Sequence, residues 1–236
     1  MLIITSGAQK SATTAGFQLT SIMAAANYAF SQRIDSEEAF DQVLARRLFR
    51  SDKELTAAAN EALKSGDATD DAVPVIIKTH GYLQDEVLKK VRVRDVLLVV
   101  SVRHPADVAL ALVDASENER HMENPRFKTY NIEETAASIA WYEKCLIRSL
   151  KGSPYIIEYE RLFDDPTEII VGMSNNFGLP VNEDVARSIV ERYEENKSMY
   201  GEYNKGKPQR RFDELSDTEI RKIEALAPVM TELSKL

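Results

Sequence analysis

A short loop near the start of the chain contains the residue types that hold an anion. Ser6-Gly7-Ala8-Gln9-Lys10-Ser11-Ala12-Thr13-Thr14 follows an apolar strand pattern and precedes a helical one. A loop in this position presents backbone N–H groups and the positive end of a helix dipole at the sheet edge. Lys10 adds a charge, and Ser11, Thr13 and Thr14 add hydroxyl donors. The segment predicts a phosphate or sulfate site. The alternative is an ordinary strand-to-helix turn with a solvated lysine.

A nucleotide kinase is one enzyme class that such a loop could serve. Its Walker A motif requires Gly-x-x-x-x-Gly-Lys-[Ser/Thr]. Here Gln9 precedes Lys10, and only Gly7 is available to the loop. This spacing weakens the kinase interpretation, although a P-loop kinase of a nucleoside or small metabolite stays open as an alternative.

A second polar group follows the apolar run Val75-Ile76-Ile77 and consists of Lys78, Thr79 and His80. Ligands of open α/β sheets bind at the carboxyl ends of the strands, where this group is placed. Because an imidazole ordinarily titrates near pH 6.5, a histidine there can accept a proton at neutral pH. His80 is therefore a candidate general base. Alternatively, it only bonds a nearby backbone group.

Two further strand patterns end in candidate binding residues. Arg103 follows Leu97 to Val102, and a guanidinium at a strand end can bind a phosphate with two parallel hydrogen bonds. Alternatively, Arg103 pairs with Asp107. Tyr159 follows Tyr155 to Glu158, and the alternative is that it is only a core aromatic residue.

The elements that must position these residues alternate between strand and helix patterns, which predicts an α/β fold. We expect three layers, with a central, mostly parallel sheet flanked by helices, as in P-loop NTPases. The predicted strands are nearly all apolar, so all four should be interior. They are Leu2 to Thr5, Val73 to Lys78, Val96 to Val102 and Pro154 to Glu158.

Helices are predicted from apolar periodicity and from capping residues. They cover Ala12 to Phe30, a surface helix from Ser51 to Lys64, Pro105 to Val113, Asp165 to Gly178, a helix from Asn182 with Val185, Ile189 and Tyr193 on one face, and a helix capped by Ser216 and Glu219 before Ile220, Ile223, Ala227 and Met230. Two polar stretches, Ala115 to Asn131 and Asn196 to Phe212, and the segment Ser31 to Phe49 are expected to form lids or loops.

The composition of the chain indicates its number of domains and argues against some classes of binding partner. With 236 residues, 44% of them hydrophobic, we expect one domain over residues 1–236. The net charge of −8 argues against general binding to nucleic acid or anionic membranes. Cys145 is the only cysteine, which fits a reducing cytoplasm. We expect no signal peptide, and no apolar run approaches the roughly 20 residues of a membrane span.

Taken in chain order, these segments resemble the motifs of sulfotransferases that use 3′-phosphoadenosine-5′-phosphosulfate (PAPS). Lys10 to Thr14 is similar to the family's 5′-phosphosulfate loop, Lys-[Ser/Gly]-Gly-Thr-[Thr/Ser], and Lys78-Thr79-His80 to its Lys-Thr-His. Arg103-His104-Pro105-Ala106-Asp107 resembles its 3′-phosphate motif, and Tyr155 to Pro166 its Arg-Tyr-Glu-Asp-Leu…Asp-Pro segment. Lys205-Gly206-Lys207 lies where the family has a basic segment, unless it is only a solvated charge run.

The resemblance implies a role for each matching residue. It makes Lys10, His80 and Lys78 catalytic, with PAPS as the donor, 3′,5′-diphosphoadenosine (PAP) as the product and no metal. The implied donor-binding residues are Gln9, Ser11, Ala12, Thr13, Thr14, Arg103, Tyr159, Lys205, Gly206 and Lys207, with Tyr159 beside the adenine. The acceptor would be a hydroxyl or amine of a small molecule, sugar or lipid. If His80 were not the base, Glu37 or Glu38 would be the next candidates.

Two positions depart from the family pattern. Ala111 stands eight residues after Arg103, where the family usually has a serine that shares the 3′-phosphate. Ser116 or a lid residue would have to replace it. Ala15 stands where many cytosolic members have a tryptophan against adenine. These departures and the short chain indicate a compact bacterial-type member, and they leave a catalytically silent nucleotide-binding relative as an alternative.

Overall fold

A computed structural model describes residues 1–50, 52–64, 73–93, 96–116, 131–179, 181–196 and 209–235. Its centre is a five-stranded sheet in the order β2-β3-β1-β4-β5, in which every neighbouring pair is parallel. The strands are β1 (Leu2–Gly7), β2 (Arg47–Phe49), β3 (Val75–Lys78), β4 (Leu97–Val102) and β5 (Tyr155–Glu158).

Helices cover both faces of this sheet. They are α1 (Thr13–Gln32), α2 (Ser36–Ala45), α3 (Asp52–Lys64), α4 (Asp85–Arg92), α5 (Pro105–Ser116), α6 (Ala136–Leu150), α7 (Tyr159–Asp164), α8 (Pro166–Phe177), α9 (Glu183–Asn196), α10 (Arg211–Glu214), α11 (Asp217–Leu226) and α12 (Pro228–Leu233), with a 3-10 turn at Glu133–Thr135.

Alternate residues of each strand enter two separate cores, because successive side chains of a strand point to opposite faces. Leu2 and Ile4 pack in the core under α3, α4, α5 and α6. Ile3 packs in the core under α1, α2, α8 and α9. The predicted three-layer α/β fold with a parallel sheet is therefore confirmed.

The predictions that rested on capping residues are also confirmed. Asp165 accepts a hydrogen bond from the Glu168 N–H at the start of α8, and Gly178 ends that helix with a φ of 69°. Ser216 and Glu219 form the predicted capping box at α11. Such side chains satisfy N–H groups that the first turn of a helix leaves without partners.

Other predictions were wrong. Strand β2 was missed, and β5 is an edge strand rather than an interior one. Helix α3 is not a polar surface helix, because Leu55 and Ala59 are fully buried in the core. On α9, Ala186 is buried in place of Val185, which is exposed.

The segment Ser31 to Phe49 was predicted to be a lid but belongs to the body of the fold. It contains α2 and β2, and Ala39, Phe40 and Val43 of α2 are buried. Asp35 caps α2 by accepting the Glu37 N–H at 2.7 Å. The predicted loops at Ala115 to Asn131 and Asn196 to Phe212 lie largely outside the described residues, apart from the end of α5, the last residue of α9 and the start of α10. Within the described ranges, no helix has the length and apolar character to cross a membrane.

Candidate functional site

The loop between β1 and α1 begins at a glycine that no other residue can replace without strain. Gly7 has a φ of 147°, and a Cβ atom there would lie 2.4 Å from the Ser101 carbonyl oxygen on β4. Where the loop leaves the sheet, its backbone is therefore in close contact with the neighbouring strand β4. Both the backbone conformation and the space available require glycine at this position.

Ser11 holds the loop in place. Its side chain is fully buried, and its hydroxyl lies 2.7 Å from the Ala8 carbonyl and 3.1 Å from that of Ser101. Its N–H donates to the Ala8 carbonyl at 3.2 Å. The expectation that the Ser11 hydroxyl adds a donor for an anion is therefore not supported, because its O–H and its N–H are both used within the protein. Its place in the donor loop stays a prediction.

The first turn of α1 is open to a ligand. Its N-cap residue is Ala12, and among the described residues no side chain caps this end of a 20-residue helix. The first N–H groups of a helix have no intrahelical acceptor and attract anions. Thr13 is buried and Thr14 is exposed, and the Thr14 hydroxyl accepts a hydrogen bond of 2.7 Å from the Lys78 ammonium group. The loop and the end of β3 thus meet.

Ala12 has a left-handed conformation, with φ 60° and ψ 19°. This conformation costs an L-residue roughly 1–2 kcal/mol, whereas glycine adopts it readily. We expect Ala12→Gly to raise the free energy of unfolding by about 0.5–1 kcal/mol, after the greater chain entropy of glycine is subtracted.

Urea unfolding measures this change. Ala26→Gly, in the middle of α1, is the matched control and should lower the stability by about 1 kcal/mol. Destabilisation of similar size by both substitutions would show that the conformation of Ala12 carries no strain.

Lys10 and Lys78 form a cationic pair beside this open helix end. Burial lowers the pKa of Lys10, and nearby Asp114 partly opposes that shift. The pKa of Lys78 falls to about 8, first because of burial and then because of the charges of Arg47 and Lys10. Like charges held together in a partly buried place are relieved by an anion. The pair is therefore able to hold one.

The depressed pKa of Lys78 predicts a pH-dependent stability. The unfolded chain binds a proton at Lys78 with the usual pKa of 10.5, and the folded chain with a pKa of about 8. Because the unfolded state holds more protons between these values, this group makes the unliganded protein more stable as pH rises from 8 to 10.5. Lys78→Met should remove that gain, of up to about 3 kcal/mol, and should be more stable than the parent near neutral pH.

Urea unfolding of both proteins at either end of this pH range measures the effect. An equal pH dependence in the parent and in Lys78→Met would contradict the assigned cause.

His80 faces the same loop. Its Nδ1 atom lies 3.0 Å from the Gly7 carbonyl oxygen. Because a carbonyl can only accept, this hydrogen bond assigns the proton of the neutral ring to Nδ1 and the lone pair to Nε2. The bond to the backbone that was considered as an alternative role is therefore present. It is compatible with a base, because it sets the tautomer that leaves Nε2 able to take a proton.

Arg103 is buried with only 2% of its surface exposed, at the carboxyl end of β4. Its Nη1 donates to the Lys10 carbonyl at 3.2 Å, and its guanidinium carbon lies 4.0 Å from the centre of the Tyr159 ring. Asp107, which the sequence suggested as an alternative ion-pair partner of Arg103, binds Arg211. Tyr159 is buried as well, so the tyrosine supports Arg103. Its predicted place beside adenine stays a prediction.

The remaining sequence-predicted residues lie in several different parts of the chain. Lys205, Gly206 and Lys207 lie outside the described residues, and Gln9 lies in the loop next to Lys10. Ser116 is a poor substitute for the missing serine, because its hydroxyl donates to the Val113 carbonyl at 2.7 Å. The two alternative bases lie on α2. Glu37 binds the guanidinium of Arg192 at 2.6 and 2.9 Å, and Glu38 accepts from Gln42 at 3.2 Å.

Sequence reasoning missed three charged residues near the site, namely Arg47, Asp114 and Arg210. Arg47 was hidden in a strand of three residues, and Asp114 lies one turn after Ala111 on α5. Arg210 is separated from its partner Asp114 by 96 residues. No local pattern could have revealed that pair. Among the described residues, no three His, Cys, Asp or Glu side chains are grouped to hold a metal ion.

Comparison with known proteins shows what this arrangement is similar to. No protein-family model and no curated protein matches the chain. Among solved structures, retinol dehydratase in complex with androsterone and inactive cofactor PAP matches with a TM-score of 0.62 at 15% identity, covering 100% of this chain and 82% of that one. Retinol dehydratase with retinol and PAP matches equally well, at 14% identity.

Mouse sulfotransferase SULT7A1 complexed with PAP also has a TM-score of 0.62, at 16% identity, with 95% of this chain and 82% of that chain covered. At such low identity a structural match establishes the fold. The chain therefore has the α/β fold of the sulfotransferases.

Proposed function

We propose that the chain is a sulfotransferase that uses PAPS as its donor. The observation that carries the proposal is the meeting of four elements at one edge of the sheet. The uncapped start of α1, the pair Lys10 and Lys78, the oriented His80 and the buried Arg103 lie together. Three solved structures with the same fold, namely the two of retinol dehydratase and that of SULT7A1, are complexes with PAP.

The residues present fit the donor. A 5′-phosphosulfate is anionic, and the first turn of α1 offers N–H groups that no side chain in the described part of the chain caps. Gly7 lets the loop pack closely against this turn, because a Cβ atom there would lie 2.8 Å from Thr13. Arg103 supplies a buried guanidinium for a second phosphate. When bound, the donor supplies a sulfuryl group attached to a phosphate leaving group.

Each side chain then has a simple task. Lys10 neutralises the charge that develops on the leaving phosphate, which is the largest contribution such a site can make. Lys78 keeps a second positive charge close by and is positioned by Thr14. His80 accepts the acceptor's proton at Nε2, while its Nδ1–H stays bonded to the Gly7 carbonyl. Sulfuryl transfer resembles phosphoryl transfer, because both depend more on positioning the reactants and stabilising the transition-state charge than on covalent catalysis by the protein.

The acceptor is proposed at the level of chemical class. We propose a hydroxyl or amine of a small molecule, sugar or lipid, handled by one domain over residues 1–236 in the cytoplasm. Retinol dehydratase, which has the same fold, forms complexes with androsterone and with retinol, and these complexes support a small-molecule acceptor.

Thermal unfolding with two nucleotides tests the donor assignment. PAP at a hundred times its dissociation constant should add about 2.7 kcal/mol to the stability, which corresponds to a rise in Tm of roughly 5–10 °C. ATP with Mg²⁺ should give a much smaller rise, because the loop lacks the Walker A glycine before Lys10. A larger rise with ATP and Mg²⁺ than with PAP would contradict the proposal and favour a kinase.

A further inference from the structure

A second group of charged residues lies beside Arg103, between α5 and the short helix α10. It consists of Asp107, Asp114, Arg210, Arg211 and Glu214, and we call it the flanking cluster. Arg211 binds Asp107 through both its guanidinium and its N–H, the latter at 2.8 Å. Arg210 binds Asp114 and Glu214.

The two arginines differ in how firmly they are held. The Arg211 and Asp107 side chains are 9% and 0% exposed, so this pair fixes α10 against α5. The side chains of Arg210 and Asp114 are 14% and 50% exposed. A half-exposed carboxylate keeps much of its hydration and gives up a partner at low cost. Of these two pairs, Arg210–Asp114 is therefore the one suited to exchange.

Glu214 and Asp114 bind different edges of the Arg210 guanidinium. Glu214 accepts from Nε at 2.6 Å and from Nη2 at 2.8 Å, which is a bidentate contact. Asp114 binds chiefly Nη1, with a longer contact of 3.4 Å from Nη2. If Asp114 moves away, Glu214 still holds the guanidinium, and the Nη1 edge can bind another anion.

This exchangeable edge lies beside the donor site. Asp114 is close enough to Lys10 to act on its pKa, and Arg210 acts in the same way on Arg103, which itself bonds to the Lys10 carbonyl. Ala111 precedes Asp114 by three residues on α5, so the two share a face of that helix. The missing serine hydroxyl and the Arg210–Asp114 pair thus belong to the same flank of the site.

We propose that Arg210 releases Asp114 and binds the donor's 3′-phosphate, and so supplies the contact that Ala111 cannot make. Asp114 is then a competing anion that holds Arg210 when no donor is bound and lowers the affinity for it. The inference rests on the proposed function, because it requires a 3′-phosphate. A phosphate dianion competes well with a single carboxylate for a guanidinium.

Calorimetric titration with PAP and with adenosine 5′-monophosphate (AMP) tests the inference, because the two ligands differ by the 3′-phosphate. Arg210→Gln should weaken PAP binding about tenfold or more, the size of one hydrogen bond to a charged group, and should leave AMP binding nearly unchanged. Asp114→Asn should tighten PAP binding several-fold. Arg187→Gln is the matched control, because it removes an arginine from an exposed ion pair on α9, and it should change neither affinity.

Each other outcome overturns the inference. An equal loss of PAP and AMP binding in Arg210→Gln would make Arg210 a structural residue. Weaker PAP binding in Asp114→Asn would make Asp114 an anchor rather than a competitor. If the parent protein prefers PAP to AMP and neither variant changes that preference, only this inference fails. If the parent protein binds no PAP, both this inference and the proposed function fail.

Discussion

Replacing Lys10 by alanine should lower the turnover number by about a hundredfold or more, the scale found when a donor to transition-state charge is removed. Lys10 lies in the left-handed part of the loop, with a φ of 67°, so its backbone is fixed by the turn and only the side chain is lost. Steady-state rates of PAP release from PAPS, with any acceptor that is turned over, measure the effect. PAP binding should fall far less, because the N–H groups of α1 and Arg103 remain.

Lys144→Ala is the matched control, since it removes an exposed lysine from α6 and should leave the rate unchanged. Near-normal turnover in Lys10→Ala would remove Lys10 from the chemistry. A loss confined to donor affinity, with the turnover number kept, would make it a binding residue only.

Replacing His80 by alanine should abolish transfer while PAP binding is retained. The imidazole has two tasks in this account, since Nδ1 holds the Gly7 carbonyl and Nε2 takes the acceptor's proton. His80→Asn separates them, because its amide can still donate to the carbonyl but cannot act as a base at neutral pH. We expect both variants to lose transfer and His80→Asn to keep the stability of the parent. Transfer rates and thermal unfolding measure the two effects.

Transfer that survives in both variants would show that the base lies elsewhere. Glu38 on α2 would then be the better candidate of the two carboxylates, since Glu37 is engaged by Arg192 through both oxygens. If His80→Asn transferred at the parent rate and His80→Ala did not, the histidine would serve only to position the loop.

The parts of the site that sequence could predict are those encoded over a few residues. The loop between β1 and α1, Lys78, His80 and Arg103 each follow an apolar strand, and parallel strands bring their carboxyl ends to one edge. That rule is sufficient to place Lys78 beside Thr14, where the structure has a hydrogen bond of 2.7 Å. The capping predictions at Asp165 and Ser216 succeeded for the same reason, because a cap and its partner are three residues apart.

The predictions that failed concern contacts between residues that are distant in sequence. Strand β2 has three residues, too few for an alternating pattern, and it forms by pairing with β3. Helix α2 is short and half polar, and its apolar face is defined only by its contact with α1 and α9. The use of the Ser11 hydroxyl inside the loop depends on Ser101, 90 residues away. Propensity and periodicity contain no information about such pairs.

The charge of the site also differs from that of the whole chain. The sequence has a net charge of −8, yet Lys10, Lys78, Arg47 and Arg103 gather at one edge of the sheet. Desolvation lowers the pKa of both lysines, so the fold is destabilised where these cations are held. Residues that destabilise the fold in this way are typical of binding and catalytic sites.

The most direct test of the central claim is to follow radiolabelled sulfur from PAPS into a mixed extract of small molecules, because the label marks whichever compound accepts it. The account predicts that the parent protein moves the label from the donor to an acceptor and forms PAP in equal amount, while Lys10→Ala stays near background. A protein that binds PAP but leaves the label in the donor with every extract would contradict the claim, and so would a Lys10→Ala variant as active as the parent.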